Sequence, residues 1–372
     1  MARPNGQIII DADSHVEEAD DVWNHLDPAY AHRRPVIVQH PGLPGPYAQD
    51  AYWLIDGQMF PRPYGYGPLI YGTPVSSKFA KSKKFSIESQ TLVPPSARIA
   101  DMDKLGIDIQ VLFPTIFLDM LSLDMQFEAA LMASYNTWAA ETCAVYPQRL
   151  KFAAPIPVRN PELAIKELRR VKKLGAAAML VYGSAGEQFL HEPQFDSIWT
   201  EAEALDMPVA MHVGWNMPSI HKKMDTIFAS ATFVAIPMMF GLFSMIGGGI
   251  LERHPKLRVG FFEAGADWLP YLVPRMERYW QVYSSKQWPG TPTCNPTEWL
   301  AGGNIYFACE GDERYLPDVA EMLGEDHLMT SADLPHEEAL EDSIAEIEER
   351  PDLSDSLKRK ILEENPKRFF GF

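Results

Sequence analysis

The chain has 372 residues, of which 46% are hydrophobic and 22% charged, with no low-complexity tract, so it can bury a sizeable core and is not disordered. Its formal net charge is −17 and its pI is about 5.0, a balance that repels nucleic-acid phosphates and anionic membrane surfaces, so neither is an expected partner. Cys143, Cys294 and Cys309 form no CxxC pair and no disulfide framework, which fits a reducing cytoplasm, and the N-terminus lacks the long apolar run of a secretory signal.

Taken in chain order, short runs rich in Val, Ile and Phe at 7–12, 109–114, 150–155, 177–182, 208–213, 258–263, 304–308 and 327–331 read as strands. Segments of helical periodicity lie between them, among them 127–146, 161–173 with Pro161 in its first turn, 194–205 and 268–280. Eight βα alternations with no GxGxxG after any strand predict one domain over 1–372, an α/β (β/α)8 barrel of the TIM type rather than a doubly wound sheet. Residues 19–95 break the rhythm, being rich in Pro, Gly, Tyr and Trp, and form a long insertion after strand 1. There it caps a substrate pocket or builds a dimer contact, and its Ser82-Lys83-Lys84 patch reads as a solvated loop. The uncharged stretch 227–251 is long enough to cross a bilayer, but Pro237 and the Gly247-Gly248-Gly249 run favour a core or subunit-interface helix. A homodimer is expected on these grounds. Residues 338–367 close the chain as one or two helices.

In such a barrel the C-terminal strand ends converge on one mouth, so chemistry is sought there. Asp13 and His15, at alternate positions, point the same way and can chelate one ion; His212, Glu263, Asp333 and His336 sit at three further strand ends. Asp13, His15, His212, Asp333 and Glu263 are the candidate metal ligands, a mixed N/O set that suits zinc, manganese or iron, with one ion favoured over two. Asp333, Glu263 and His336 are the candidate acid–base residues. Trp215, Tyr182 and Phe117 follow strands and are candidates to line an aromatic substrate pocket, while Arg98 or Arg62 could meet an anionic substrate. Each has a bland alternative: a cap or turn for Asp13 and Asp333, an Arg275 partner for Glu263, packing for the aromatics. Cys143 reads as a small buried apolar residue.

The motifs Asp11-Ala12-Asp13-Ser14-His15, the unit from Phe195-Asp196-Ser197-Ile198-Trp199 to His212, Glu252-Arg253-His254-Pro255, Glu263 to Arg275 with Trp268-Leu269-Pro270, Ser331-Ala332-Asp333-Leu334-Pro335-His336 and Asn365-Pro366 occur in a specific order. In these the sequence resembles the amidohydrolase superfamily, in the branch that includes aminocarboxymuconate semialdehyde decarboxylase and the resorcylate-type decarboxylases. The resemblance implies that His15, His212 and Asp333 match family metal positions, and that Asp13 stands where members carry the first His of HxH or a Glu. It also implies that Glu263 stands where the decarboxylases of this branch carry a proton-handling His. No Lys at the strand-four end, Met179-Leu180-Val181-Tyr182, offers a bridging carbamate.

With that His replaced, the expectation is a metal-dependent hydrolase of a small or medium carbonyl compound, an ester, thioester, lactone or amide, in which the ion activates a water and Asp333 takes its proton. Glu263 serves as base, acid or second-metal ligand. The alternative is metal-dependent non-oxidative decarboxylation of an aromatic or unsaturated acid, and a second alternative is a barrel that only binds a small molecule.

Overall fold

The computed structural model describes residues 6–39, 50–61, 71–214, 217–221, 223–224, 226–288, 290–302, 304–336 and 342–372. The eight apolar runs become eight parallel strands: β1 (Ile10–Val16), β2 (Ile109–Pro114), β3 (Leu150–Pro155), β4 (Ala178–Val181), β5 (Val209–His212), β6 (Val259–Phe262), β7 (Ile305–Cys309) and β8 (Leu328–Thr330). Each is hydrogen-bonded to the next in sequence order, the arrangement of a (β/α)8 barrel. The seam between β8 and β1 has no regular ladder. It is closed by residues just past β8, where the Asp333 N–H donates to the Asp13 carbonyl at 3.0 Å and Ser331 Oγ lies 3.3 Å from the same oxygen.

Strand 1 corrects the sequence reading most, running three residues later at its start and four at its end than 7–12. Ser14, His15 and Val16 still pair with Leu112, Phe113 and Pro114, so the polar Asp13-Ser14-His15 lies within the strand. A bulge between Asp11 and Ser14 shifts the register there. The helices fall close to expectation at Met125–Cys143, capped by Asp124, and at Pro161–Leu174, capped by Asn160. So do Asp196–Ala204 and Leu269–Ser284. Residues after 341 form Ser343–Glu349, Asp355–Arg359 and Asn365–Phe370.

The uncharged stretch is divided into Ile227–Thr232, Ala235–Met245 and Ile250–Arg253. By composition the run Phe228–Arg253 is apolar enough to reach across a bilayer, with mean hydropathy 1.9 and 44% of its most apolar window buried. Helix Ala235–Met245 sits directly on the sheet. A Cβ on Gly241 would fall 1.9 Å from Met211 Sδ of β5, and one on Gly183 would fall 1.9 Å from the Pro237 carbonyl oxygen, so only glycine permits this approach.

Within 19–95, Val36–Gln39, Ala51–Ile55 and Gln58–Phe60 form an antiparallel sheet, with Asp56 and Gly57 in the left-handed conformations of a two-residue hairpin turn. Trp23 and Trp53, both buried, meet edge-on with ring centroids 6.0 Å apart, and Trp23 also packs against Phe117 just past β2, which anchors the insertion to the barrel.

The lumen is filled by inward residues of the strands, many of them small: Ala12, Ala153, Ala178, Ala210 and Ala308, with Val111, Phe113, Leu180, Phe262, Tyr306 and Met329. Its N-terminal end is plugged by helix Asn365–Phe370. Phe369 stands 5.3 Å from Tyr306 and 5.6 Å from Phe262 between ring centroids. Gly260 in β6 makes room for two rings, since a Cβ there would lie 2.7 Å from the Phe262 ring and 2.9 Å from the Phe369 ring.

Candidate metal centre

At the other end of the lumen the packing turns polar. Asp13 and His15 project from the bulged part of β1 and His212 is the last residue of β5, all three fully buried. Glu263 directly follows β6 with φ 61°, and Asp333 lies three residues past β8 with φ 49°. Left-handed backbone at non-glycine residues costs on the order of 1–3 kcal/mol each, and such strain collects where side-chain direction matters. These two turns aim their carboxylates inward.

His15 Nε2 lies 3.1 Å from Glu263 Oε2, 3.5 Å from Asp333 Oδ1 and 3.7 Å from Asp13 Oδ1. His212 Nε2 lies 3.1 Å from Glu263 Oε2 and 3.5 Å from Asp13 Oδ1. The Nδ1 of His212 is 2.8 Å from the Val213 carbonyl, which places its proton there and turns the Nε2 lone pair to the cluster. His336 Nδ1 is 2.8 Å from Asp333 Oδ1, and its Nε2 is 3.1 Å from Thr115 Oγ1. Its ring lies tilted against that of His15, with centroids 4.1 Å apart, and against that of Tyr71 at 4.9 Å.

These groups approach one another without hydrogen-bond alignment. Both oxygens of Asp13 and Asp333, both ring nitrogens of His15, His212 Nε2, Glu263 Oε2 and His336 Nδ1 are buried with no hydrogen-bond partner. Each such group costs about 1–3 kcal/mol when left unsatisfied, and native folds keep few of them. A cation at their centre satisfies them together. One ligand atom from each of Asp13, His15 and His212 falls within a 4.8 Å cluster, as does one from each of His15, Glu263, Asp333 and His336. The residues present therefore fit a divalent metal of the kind bound by mixed imidazole and carboxylate sets.

The electrostatics favour negative charge at Glu263. Burial alone raises its pKa, but His212 and His15 outweigh burial and hold the carboxyl well below the usual range. His212 is raised well above its ordinary value, the pull of Asp13 and Glu263 overcoming burial. Asp333 is raised well above its ordinary value by burial and then by the charge of Glu263. Burial pushes His336 down to about 4, leaving it neutral near pH 7.

The structure brings Asp13, His15, His212, Glu263, Asp333 and His336 together at the barrel mouth. Glu263 does not pair with Arg275, whose guanidinium lies over the rings of Tyr271 and Tyr279. The expected aromatic lining fares differently. Phe117 is buried in the core between Trp23 and Tyr135, with centroids at 6.2 and 5.6 Å, because the short helix after β2 turns it away from the mouth. Tyr182 is half-buried at the end of β4, its hydroxyl committed to the Phe117 carbonyl. Trp215 and Arg62 lie outside the described residues. Arg98 cannot meet a substrate: it is buried and spends its donors on the carbonyls of Ser89 and His15 and on Gln110. A pocket beside His336 is instead lined by Phe60, Pro61 and Tyr71 of the insertion and by Thr115, Ile116, Leu118 and Asp119 after β2.

Two charged residues were not singled out from sequence. Lys83, read as part of a solvated patch, is only 3% exposed in its side chain and paired with buried Glu17, just past β1. Glu310 directly follows β7, between the strands that carry Glu263 and Asp333, and its pKa is raised to about 8 by burial and by the charges of Asp333, Asp312, Glu263 and Asp13. Its signal in the sequence is its place at a strand end, the same criterion that picked out the other four.

A model of the amidohydrolase family matches residues 21–372. Gamma-resorcylate decarboxylase of Polaromonas sp. (strain JS666) is 26% identical over 315 residues, covering 79% of this chain and 93% of the relative. The 2-amino-3-carboxymuconate-6-semialdehyde decarboxylase of Dictyostelium discoideum is 25% identical over 318 residues, covering 83% of this chain and 86% of the relative. In fold, the chain is similar to 5-carboxyvanillate decarboxylase of Novosphingobium aromaticivorans, solved with manganese and 3-methoxy-4-hydroxy-5-nitrobenzoic acid, at TM-score 0.72 and 20% identity over 99% of this chain and 98% of that one. These relatives correct the expectation of a hydrolase acting on an ester, thioester, lactone or amide, since they are decarboxylases. That expectation rested on the replacement of one His by Glu263. The replacement removes a single proton donor from a mouth that holds other acids, and so does not by itself require a water nucleophile.

Proposed function

The chain belongs to the amidohydrolase family, in the branch of the resorcylate and aminocarboxymuconate semialdehyde decarboxylases, and from that premise we propose that it is a metal-dependent non-oxidative decarboxylase of a small aromatic carboxylic acid. The observation that carries this reading is the buried cluster of unsatisfied imidazole and carboxylate atoms at the barrel mouth. Asp13, His15, His212 and Asp333 would hold a single divalent ion, with Glu263 facing it. The mixed imidazole and carboxylate set suits manganese as well as zinc or iron. When bound, the ion supplies positive charge that draws the substrate carboxylate and steadies negative charge developing on the substrate.

Decarboxylation breaks the bond between a ring carbon and the carboxylate, leaves the electron pair on that carbon and releases CO2, so the carbon must receive a proton. The chain supplies an acid for this step: Glu310, directly after β7, is pushed toward its protonated form, chiefly by burial. His336, hydrogen-bonded to Thr115, lies against the Asp333 carboxyl. Phe60, Pro61, Tyr71, Ile116 and Leu118 offer apolar surface to a ring, while Thr115 and Asp119 offer partners for its hydroxyl groups. The three free cysteines, two buried and one exposed, support a reducing cytoplasmic setting.

Manganese-loaded protein incubated with a panel of hydroxybenzoates in heavy water tests the reading. The expected result is CO2 release with one deuteron on the ring carbon that bore the carboxylate. Incorporation of oxygen from labelled water into a product without CO2 would overturn it.

A further inference from the structure

Beneath the ligand set lies a buried polar network that the proposed reaction does not use. Asp11 Oδ1 accepts from two main-chain N–H groups, those of Ala332 at 3.0 Å and Asp13 at 3.3 Å. Its Oδ2 accepts from Ser14 Oγ at 2.6 Å and from Gln110 Nε2 at 2.8 Å. Ser14 Oγ in turn accepts from the Leu334 N–H at 3.1 Å and from Gln110 Nε2 at 2.9 Å. Gln110 Oε1 accepts from Arg98 at 2.9 Å, and Arg98 also donates to the His15 carbonyl at 3.0 Å. Asp11, Ser14 and Gln110 are fully buried and Arg98 is 1% exposed.

The network has one direction. Arginine has only donors, so Gln110 must turn its oxygen to Arg98 and its nitrogen to Asp11. Both oxygen positions of residue 11 must then accept, one from Gln110 and Ser14, the other from two backbone N–H groups whose direction is fixed. An asparagine there sets its own NH2 against donors in either orientation. Only an ionised carboxylate closes the circuit, although an asparagine has the same shape.

What the circuit grips is the main chain of three candidate ligands. It holds the residues on both sides of Asp333, where the backbone is left-handed, together with the N–H of Asp13 and the carbonyl of His15. It also lies at the seam where β8 and β1 have no ladder of their own. We propose that Asp11, oriented by Arg98 through Gln110, is a positioning residue that sets the spacing of Asp13, His15 and Asp333 and thereby the affinity of the site for its metal. This rests on the metal-centre reading above.

The test inverts the polarity of the network while conserving its charge. Asp11→Asn alone faces donor against donor, and Gln110→Glu alone buries two carboxylates side by side. In Asp11→Asn/Gln110→Glu the new carboxylate accepts from Arg98, Ser14 and the asparagine NH2, and the asparagine oxygen accepts from Ala332 and Asp13. Manganese affinity is measured by calorimetry on wild type and the three variants, alongside circular dichroism and thermal melts of each in chelator. Loss of support behind metal ligands weakens affinity by roughly 10–100-fold, which is the expected effect of each single change. The double variant is expected to regain most of that loss, also where a single variant fails to fold. Unchanged manganese affinity in folded Asp11→Asn, a melting temperature that falls while affinity does not, or a double variant no better than Asp11→Asn would overturn the inference. Wild-type protein that binds no manganese would instead overturn the metal-centre reading on which it rests.

Discussion

At the N-terminal end of the barrel, Phe369 and Phe370 fill the lumen against Phe262 and Tyr306, and a glycine at 260 makes room for the ring. Towards the C-terminal end of the same strands the lumen holds acids and imidazoles, many of whose polar atoms have no partners, and Glu263 and Asp333 there bend into left-handed conformations. The two ends share strands, spacing and burial and differ in what the side chains do for the fold. The floor gains stability from every contact, whereas the mouth carries unpaired polar groups and strain that the floor and the outer core must offset.

That contrast is open to experiment. The largest effect is expected at the mouth, on activity: if Glu310 delivers the proton, Glu310→Gln should lower kcat by about 100- to 10,000-fold with little change in unfolding midpoint. The same residue sets a pH limit. An acid must be protonated to donate, so the wild-type rate should fall with rising pH as Glu310 ionises, at a pH that burial lifts above the usual carboxylate range, and this limb should be missing from the residual rate of the variant. An unaltered pH profile would remove Glu310 from the mechanism. The next largest effect belongs to the floor and to stability, because Phe369→Ala should cost about 3–5 kcal/mol in urea unfolding, with kcat per folded molecule unchanged. A comparable loss of kcat would show that the two ends are not separable. Smallest is the effect of metal removal: saturation at a hundred times Kd stabilises by about 2.7 kcal/mol, so chelation should lower the unfolding free energy by that amount. Wild type and Phe369→Ala should lose equally, since distant sites add.

Much of this was legible from sequence. Apolar runs alternating with helical segments identified the eight strands, two of them, 109–114 and 150–155, at their observed bounds. Asp13 and His15 were legible because a strand places alternate residues on one face, and His212, Glu263 and Asp333 because each ends an apolar run. What escaped depends on contacts between distant segments. The bulge in β1 has no residue signature, so the strand seemed to stop where its polar residues began. Lys83 lies among Lys81 and Lys84 and reads as solvated until the insertion folds it onto Glu17. Glu310, followed by Gly311-Asp312-Glu313, resembles an acidic surface turn, and only its burial beside the charges of Asp333 and Glu263, between β6 and β8, sets it apart. Phe117 has the composition of a pocket wall and the position of a core residue. The choice of reaction failed for a related reason: Glu263 identifies a charge near a metal site, and a charge is compatible with either chemistry.

The pocket wall and the ligand set are drawn from different stretches of the chain. Phe60, Pro61 and Tyr71 come from the insertion and Thr115 to Asp119 from one loop, whereas the candidate ligands come from β1, β5, β6 and the turn after β8. Inheritance can therefore act on the two separately. If the cavity and the ligand set act as proposed, a lineage can lengthen, shorten or recolour residues 19–95 and change which acid is taken while the proposed ligand set passes on intact, so that one barrel seeds a set of enzymes alike in chemistry and divergent in diet.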